Sequence, residues 1–140
     1  MMRTNKGFTL LELLVVMAIL GILAVLVLPK ITDKPKQAKR LKAVLQIKAF
    51  QDALEEFYVD HGYYPATDDG LKNLLIPQEG KSPYLDSPEI PLDPWNFPYQ
   101  YISPGLSQRL YDIVAFGQDK RRGGSGWDKD VESWDLDRET

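Results

Sequence analysis

Cysteine is absent from the 140 residues, and histidine occurs once, at His61. Without cysteine there is no disulfide framework and no thiolate metal site, and the redox compartment is left open. The usual zinc donor set is missing as well. No glycine-lysine-serine or glycine-lysine-threonine phosphate loop occurs, so nucleotide hydrolysis has no place in this chain. No pair of carboxylates sits in an apolar setting, which leaves no acid, base or nucleophile assembled for catalysis. A membrane-tethered enzyme is the weaker expectation, and the chain reads as a non-enzyme. No period of the length that marks solenoids recurs.

What is present begins with one long apolar run. From Phe8 to Leu28 the chain carries a single charged residue, Glu12, in 21 positions. As a helix rising about 1.5 Å per residue this segment reaches about 30 Å, the thickness of a hydrocarbon core. A cleaved secretory signal would have a shorter apolar core followed by a small-residue site, whereas this run leads directly into further helix. A carboxylate inside a membrane helix is costly unless it is paired. Glu12 also stands one turn into the helix, where the N-terminal dipole favours a negative charge, so both accounts of it stay open.

Charge divides the chain. Residues 1–59 hold nine Lys or Arg against five Asp or Glu, and residues 60–140 hold eight against fifteen, within a net charge of −3. The stem is basic and the head acidic. Arg3 and Lys6 precede the apolar run while Lys30, Lys34, Lys36, Lys39, Arg40 and Lys42 follow it, which by the positive-inside rule alone puts the C-terminal side in the cytoplasm.

Pro29 and Pro35 each remove a helical hydrogen bond, and a kink or local loosening is expected at Pro29. Beyond them Leu41, Val44, Leu45, Ile47, Phe50, Leu54, Phe57 and Tyr58 recur at three- and four-residue steps, predicting an amphipathic helix over 29–61 whose stripe packs on the head. If this helix continues the first, Phe8 to Asp60 makes a rod of roughly 80 Å. Gly62 and Pro65 end the helix, and His61 is expected to be structural. Thr67-Asp68-Asp69-Gly70 is expected to cap a short turn at Leu71 to Leu75. The proline-rich stretch from Gln78 to Gly105 has no room for a long helix. Tyr99 to Ile102 and Tyr111 to Phe116 alternate as strands, so two or three short antiparallel strands against the helix make an α+β head over 62–140.

The segment from Phe116 to Asp130 combines glycines with acids in a stretch too polar for core. It reads either as a solvated loop or as a calcium site, since calcium takes carboxylate and carbonyl oxygens and glycine lets carbonyls converge. The spacing is not that of an EF-hand loop.

Gly7-Phe8-Thr9-Leu10-Leu11-Glu12 behind a short basic leader resembles the class III signal of type IV pilins and type II secretion pseudopilins. Tyr64-Pro65, Gly70-Leu71, Leu74, Leu92-Asp93-Pro94-Trp95, Pro98-Tyr99-Gln100-Tyr101 and Ser103-Pro104-Gly105 are similar to the major pseudopilin family of the type II secretion system, the G subunit. Asn96 departs from the glycine usual there, and the stretch before Tyr84 is short. The resemblance implies a leader over 1–7, prepilin peptidase cleavage between Gly7 and Phe8, N-methylation of Phe8, a transmembrane and assembly helix over 8–28, and pairing of Glu12 with a neighbour's N-terminal amine.

The same resemblance overrules the positive-inside signal. It implies a single-pass protein of the bacterial inner membrane with its head in the periplasm, its basic stem free to meet acidic surfaces of neighbouring subunits. It also implies a pilin-like fold and calcium in a loop over 116–134. There Asp119, Asp128 and Asp130 would give side chains, with the backbone oxygens of Phe116 and Arg121 and with Ser125 as further ligands. Lys120, Arg121, Arg122 and Lys129 depart from what such a site wants, since four cations lower calcium affinity unless they point outward. The implied partners are further copies in a homopolymer, minor pseudopilins, the inner-membrane assembly platform, the peptidase and the secreted exoproteins. The implied function is that of a structural subunit of a periplasmic filament that helps move folded exoproteins across the outer membrane. The alternative, a type IV pilin or competence pseudopilin for adhesion or DNA uptake, shares the N-terminal signal, but the acidic head lacks the basic face that nucleic acid needs.

Overall fold

A computed structural model describes residues 7–78 and 80–138, and of residues 26–32 only the helical backbone. The leader expected over 1–7 therefore lies outside the described residues except for Gly7. Helix α1 runs over Leu10–His61, helical through Pro29 and Pro35, so it does not stop at Leu28. The chain divides into two compact units, residues 1–36 and 37–140. The boundary falls inside α1, and the amphipathic half of that helix belongs with the head rather than forming a stem apart from it.

In the first unit the apolar side chains from Phe8 to Val25 are exposed on every side of the helix. Among the described residues no helix is long and apolar enough to cross a membrane. The expected span of 8–28 ends on Leu26, Val27 and Leu28, whose side chains lie outside the described residues.

In the second unit the helix contributes a continuous stripe of Val44, Ile47, Phe50, Leu54 and Phe57 to the core, with Ala43 and Ala53 buried beside them. These positions recur at the helical period on one side. Leu41, Leu45 and Tyr58 were expected in the same stripe, but they are exposed. Three- and four-residue steps cover a wide arc, and these three lie beyond the part of it that the head covers. Tyr58 instead stacks on Tyr64, ring centroids 4.8 Å apart. Arg40, expected on a basic outer surface, is buried and donates from Nη1 to the Lys129 carbonyl at 2.7 Å.

Gly62 follows α1 at φ 78 and its N–H donates to the Tyr58 carbonyl, which closes the helix as expected. His61 Nδ1 lies 3.0 Å from the Phe57 carbonyl, so that nitrogen carries the proton, and its ring stacks on Phe57 at 4.0 Å. It is a structural histidine. The turn at Gly70–Leu75 is a 3₁₀ helix that buries Leu71 and Leu74, and no side chain caps it. The Thr67 hydroxyl, expected to help cap it, accepts from Ser103 N–H and donates to the Ser103 carbonyl.

Strands β1 (Gln100–Ile102), β2 (Asp112–Ala115) and β3 (Val131–Glu132) form one antiparallel sheet in the order β1-β2-β3. Tyr101 faces Ile113, and Ala115 faces Val131. The first two strands are shorter than the alternation suggested, since Tyr99, Tyr111 and Phe116 fall outside them. Sheets this small are not stable alone. This one rests on the helix through Tyr101, Ile113, Ala115 and Val131 in the shared core.

Two buried carboxylates pin the loops that feed the sheet. Asp93 Oδ1 accepts from the N–H groups of Trp95 and Phe97 at 2.9 and 2.8 Å, folding the Pro94-Trp95-Asn96 turn around itself. Asn96 sits there at φ 61, a left-handed position that asparagine tolerates and glycine would fill freely. This accounts for the departure at that turn. Asp112 accepts from Leu106 N–H at 2.8 Å and from both Nε and Nη2 of Arg109. Gly105 is required beside it, because a Cβ there would stand 2.8 Å from Asp112 Oδ1.

The Arg109 hydrogen bonds hold the Asp112 carboxyl below its ordinary value, against the opposing effect of burial. The folded pKa thus lies below the unfolded value of about 3.9, so the stabilisation is full above that pH and is lost as pH falls through the folded value. We expect Asp112→Asn to flatten the acid limb of the stability profile. Asp112→Ala is expected to cost about 2–3 kcal/mol at neutral pH. Urea unfolding at a series of pH values reads both effects.

Candidate functional site

Two places bear the residues singled out in the sequence, one in each unit. In the first unit Gly7 and Phe8 are exposed, and a Cβ on Gly7 would meet nothing within 4 Å. The junction between them lies open. Thr9 caps α1: its hydroxyl accepts from Glu12 N–H at 3.2 Å, and its carbonyl accepts from Leu13 N–H at 3.2 Å. The pattern Thr-x-x-Glu over Thr9 to Glu12 is that of a capping box. Sequence inspection had the signal and passed over it. Glu12 is therefore placed in the first turn, where the dipole favours its charge, and its side chain is exposed on a helix otherwise apolar all round.

In the second unit the loop from Phe116 to Asp130 returns to the sheet at β3. Gly117 at φ 50 and Gly124 at φ 87 both pass against the Asp128 carbonyl, where a Cβ would stand 2.6 and 2.5 Å from its oxygen. Only glycine fits at either point. The loop is thus wound around the Asp128 backbone. The Asp119 carboxylate accepts from Arg121 N–H at 3.1 Å, and the Phe116 carbonyl accepts from Lys120 N–H at 3.1 Å. Ser125 gives its carbonyl to Asp128 N–H at 3.1 Å.

Asp130 is the buried member of the expected ligand set, 4% exposed. Its Oδ2 accepts from Gly123 N–H at 2.8 Å, whereas its Oδ1 is buried and accepts no hydrogen bond among the described residues. Burial pushes its carboxyl up and the Asp119 charge adds to this, while Gly123 N–H, Arg122 and Arg40 act the other way. Asp119 and Asp130 thus feel each other across the loop. Among the described residues no three His, Cys, Asp or Glu side chains gather as they would to hold a metal. A hard cation here would draw on the Asp119 and Asp130 side chains and complete its shell from backbone carbonyls, as calcium accepts. On that condition the residues fit the ion: Asp130 keeps a buried oxygen without a donor, as Asp93 Oδ2 does elsewhere in the head, and it also has the Asp119 carboxylate acting on it across the loop.

Sequence reasoning missed Arg40, which ties α1 to the loop across 89 residues, and Arg109, whose guanidinium lies 3.9 Å over the Trp134 ring. Nothing in a helical stretch of lysines marks one arginine as buried. Gly123 and Gly124 allow a clean test of the winding, since both have positive φ but a Cβ on Gly123 would meet nothing. Gly124→Ala is expected to destabilise the loop more than Gly123→Ala, by an additional ~1–3 kcal/mol, read by proteolysis in the loop and by thermal unfolding.

Comparison with known proteins bears on both places. The family model of the type II secretion system protein G matches residues 30–134, and the model of the prokaryotic N-terminal methylation motif matches residues 2–28. The type II secretion system core protein G of Pseudomonas aeruginosa is 41% identical over 141 residues, covering 95% of this chain and 97% of that protein. Its counterpart in Vibrio cholerae is 39% identical over 140 residues, covering 96% and 95%. The crystal structure of the major pseudopilin from the type 2 secretion system of enterohaemorrhagic Escherichia coli is similar at a TM-score of 0.57 and 26% identity, over 74% of this chain and 92% of that one. With a family model covering most of its length, and the long helix and small antiparallel sheet of a major pseudopilin, the chain belongs to the type II secretion system protein G family.

Proposed function

We propose that this pseudopilin is cut between Gly7 and Phe8 by a prepilin peptidase, methylated on the Phe8 amine, held in the bacterial inner membrane by the segment 8–28 with its head in the periplasm, and polymerised through that segment into a filament that helps drive folded exoproteins across the outer membrane. The observation that carries the reading is the first half of α1. Its side chains from Leu10 to Val25 are apolar and exposed all round, with Glu12 the one charge. A helix apolar on every face must be covered, by lipid before assembly and by neighbouring helices after it. Glu12 then needs an opposite charge inside that apolar packing, and the free amine of a neighbour's Phe8 supplies it. The open Gly7–Phe8 junction suits a peptidase.

Minor pseudopilins and an inner-membrane platform are the partners in assembly. The reading assigns no chemistry to the subunit, and the energy comes from elsewhere. Adhesion or DNA uptake by a type IV pilin is not favoured.

Calcium belongs to the same proposal. Asp130 Oδ1 and Asp119 would hold it, with Asp128, Ser125 and the carbonyls of Phe116 and Arg121 as the remaining candidates. When bound, the ion supplies charge that neutralises a buried carboxylate and joins the two ends of the loop. Lys120, Arg121 and Arg122 are exposed, where they weaken the ion least. The role of the chain's own residues is to hold Asp130 beside β3 through Gly123 N–H and to keep the winding around Asp128 closed.

Intact mass of the protein from its native membrane, with and without an active prepilin peptidase, tests the processing. A chain beginning at methylated Phe8 is expected; one beginning at Met1 or Met2 in the presence of the peptidase removes the filament reading. For the metal, calcium at about 100 times its dissociation constant stabilises the head by about 2.7 kcal/mol. The thermal midpoint should rise accordingly in the unaltered chain and stay put in the Asp119→Ala, Asp130→Ala double variant. Equal responses of the two proteins would reject the site.

A further inference from the structure

A groove of about 660 Å³ opens on the head between the Gly70–Leu75 turn and the proline-rich segment ahead of β1. Leu71, Ile90, Pro91 and Tyr99 make its apolar surface. The two tyrosine hydroxyls beside it are already engaged, Tyr99 donating to Gln46 Oε1 and Tyr101 to the Pro65 carbonyl, both at 2.8 Å. Neither hydroxyl proton is therefore free for a ligand in the groove. At the rim stand three carboxylates, Asp68, Asp69 and Glu89, all exposed, against one cation, Lys72. The groove calls for an apolar occupant flanked by positive charge.

The same chain presents such a surface elsewhere. Leu41 and Leu45 are 48% and 58% exposed on the side of α1 opposite the core stripe. Four residues apart, they are neighbours on the helix surface, and Lys42 and Lys48, each three residues from Leu45, flank it on either side. Both lysines are exposed. Because Leu41 and Leu45 point away from the head that Val44, Ile47 and Phe50 hold, they cannot reach the groove of their own chain.

We propose that the groove is the docking site for the Leu41–Lys48 face of α1 from a second copy of this chain, with Leu41 and Leu45 entering the apolar floor and Lys42 and Lys48 meeting Asp68, Asp69 and Glu89. Donor and acceptor are different surfaces, so the contact is heterologous. Each copy that docks leaves its own groove free for the next, which gives an open-ended array rather than a closed dimer. The charges set register and partner, and the two leucines supply the area removed from water. This contact rests on the filament reading above and places a neighbour's helix at a named site on the head.

The absence of native cysteine makes the test clean. Full-length chains carrying both Leu45→Cys and Leu92→Cys, positions that are exposed on the helix face and at the groove, are assembled in cells where the unaltered chain forms fibres, and then oxidised. A ladder of dimers, trimers and longer multimers is expected, and dimers at most from either single variant. In a second arm Lys42→Glu with Lys48→Glu lowers fibre yield about tenfold, the equivalent of 1.4 kcal/mol per contact, and adding Asp68→Lys with Asp69→Lys restores it. Matching thermal midpoints of the variants exclude misfolding as the cause.

Fibres of the cysteine variant without a ladder overturn this contact and leave the filament reading standing, as does charge reversal without rescue. Failure of the unaltered chain to form fibres, together with no ladder, overturns both.

Discussion

One apolar stripe on one helix supports everything else in the head. Val44, Ile47, Phe50, Leu54 and Phe57 are covered by side chains from every later segment: Leu71 and Leu74, then Trp95 and Tyr99, then Ile113, and last Val131 and Leu136. A fully buried residue of this kind is worth about 1.5–3 kcal/mol, and the three short strands have little to offer without it. The sheet and the loops are a cover laid over the helix. This explains how so much irregular, proline-rich chain is held in place without any disulfide.

The period of the helix and the N-terminal motif could be read directly from residues, because both are local. The amphipathic half was legible from Val44 to Phe57, and the N-terminal methylation motif from Gly7 to Glu12. The outer limit of the stripe was not legible. Leu41 and Leu45 fit the same spacing as Val44, and only the extent of the head decides that they stay outside it. Arg40 shows the converse, a charge in a basic run that folds inward because a carbonyl from the far end of the chain meets it. Thr67 looked like a cap and is a cross-link to Ser103. Strand β3 is two residues long and has no pattern to find. In each case the deciding partner lies tens of residues away.

The three buried aspartates of the sheet and its loops show how differently one residue type is satisfied. Asp93 takes backbone amides from its own turn, and Asp112 takes a guanidinium and an amide. Asp130 takes one amide and leaves an oxygen buried without a donor. Asp112 is satisfied at both oxygens, whereas Asp93 takes both its amides on Oδ1 and, like Asp130, keeps one oxygen buried without a donor. The oxygen left over on Asp130 lies in the loop ahead of β3, beside the strand that completes the sheet.

The position of β3 has a consequence for the timing of folding. Its two residues come after the whole loop from Phe116 to Asp130, yet they pair with the central strand, and Ser133 joins Ile113 through both its amide and its hydroxyl. A nascent chain can form the helix and collapse the middle segments onto it, but β2 keeps an open edge until β3 has been made. A stalled or clipped product would carry that edge exposed, a template for another strand. Arrival of β3 is thus the step that leaves the central strand paired on both sides.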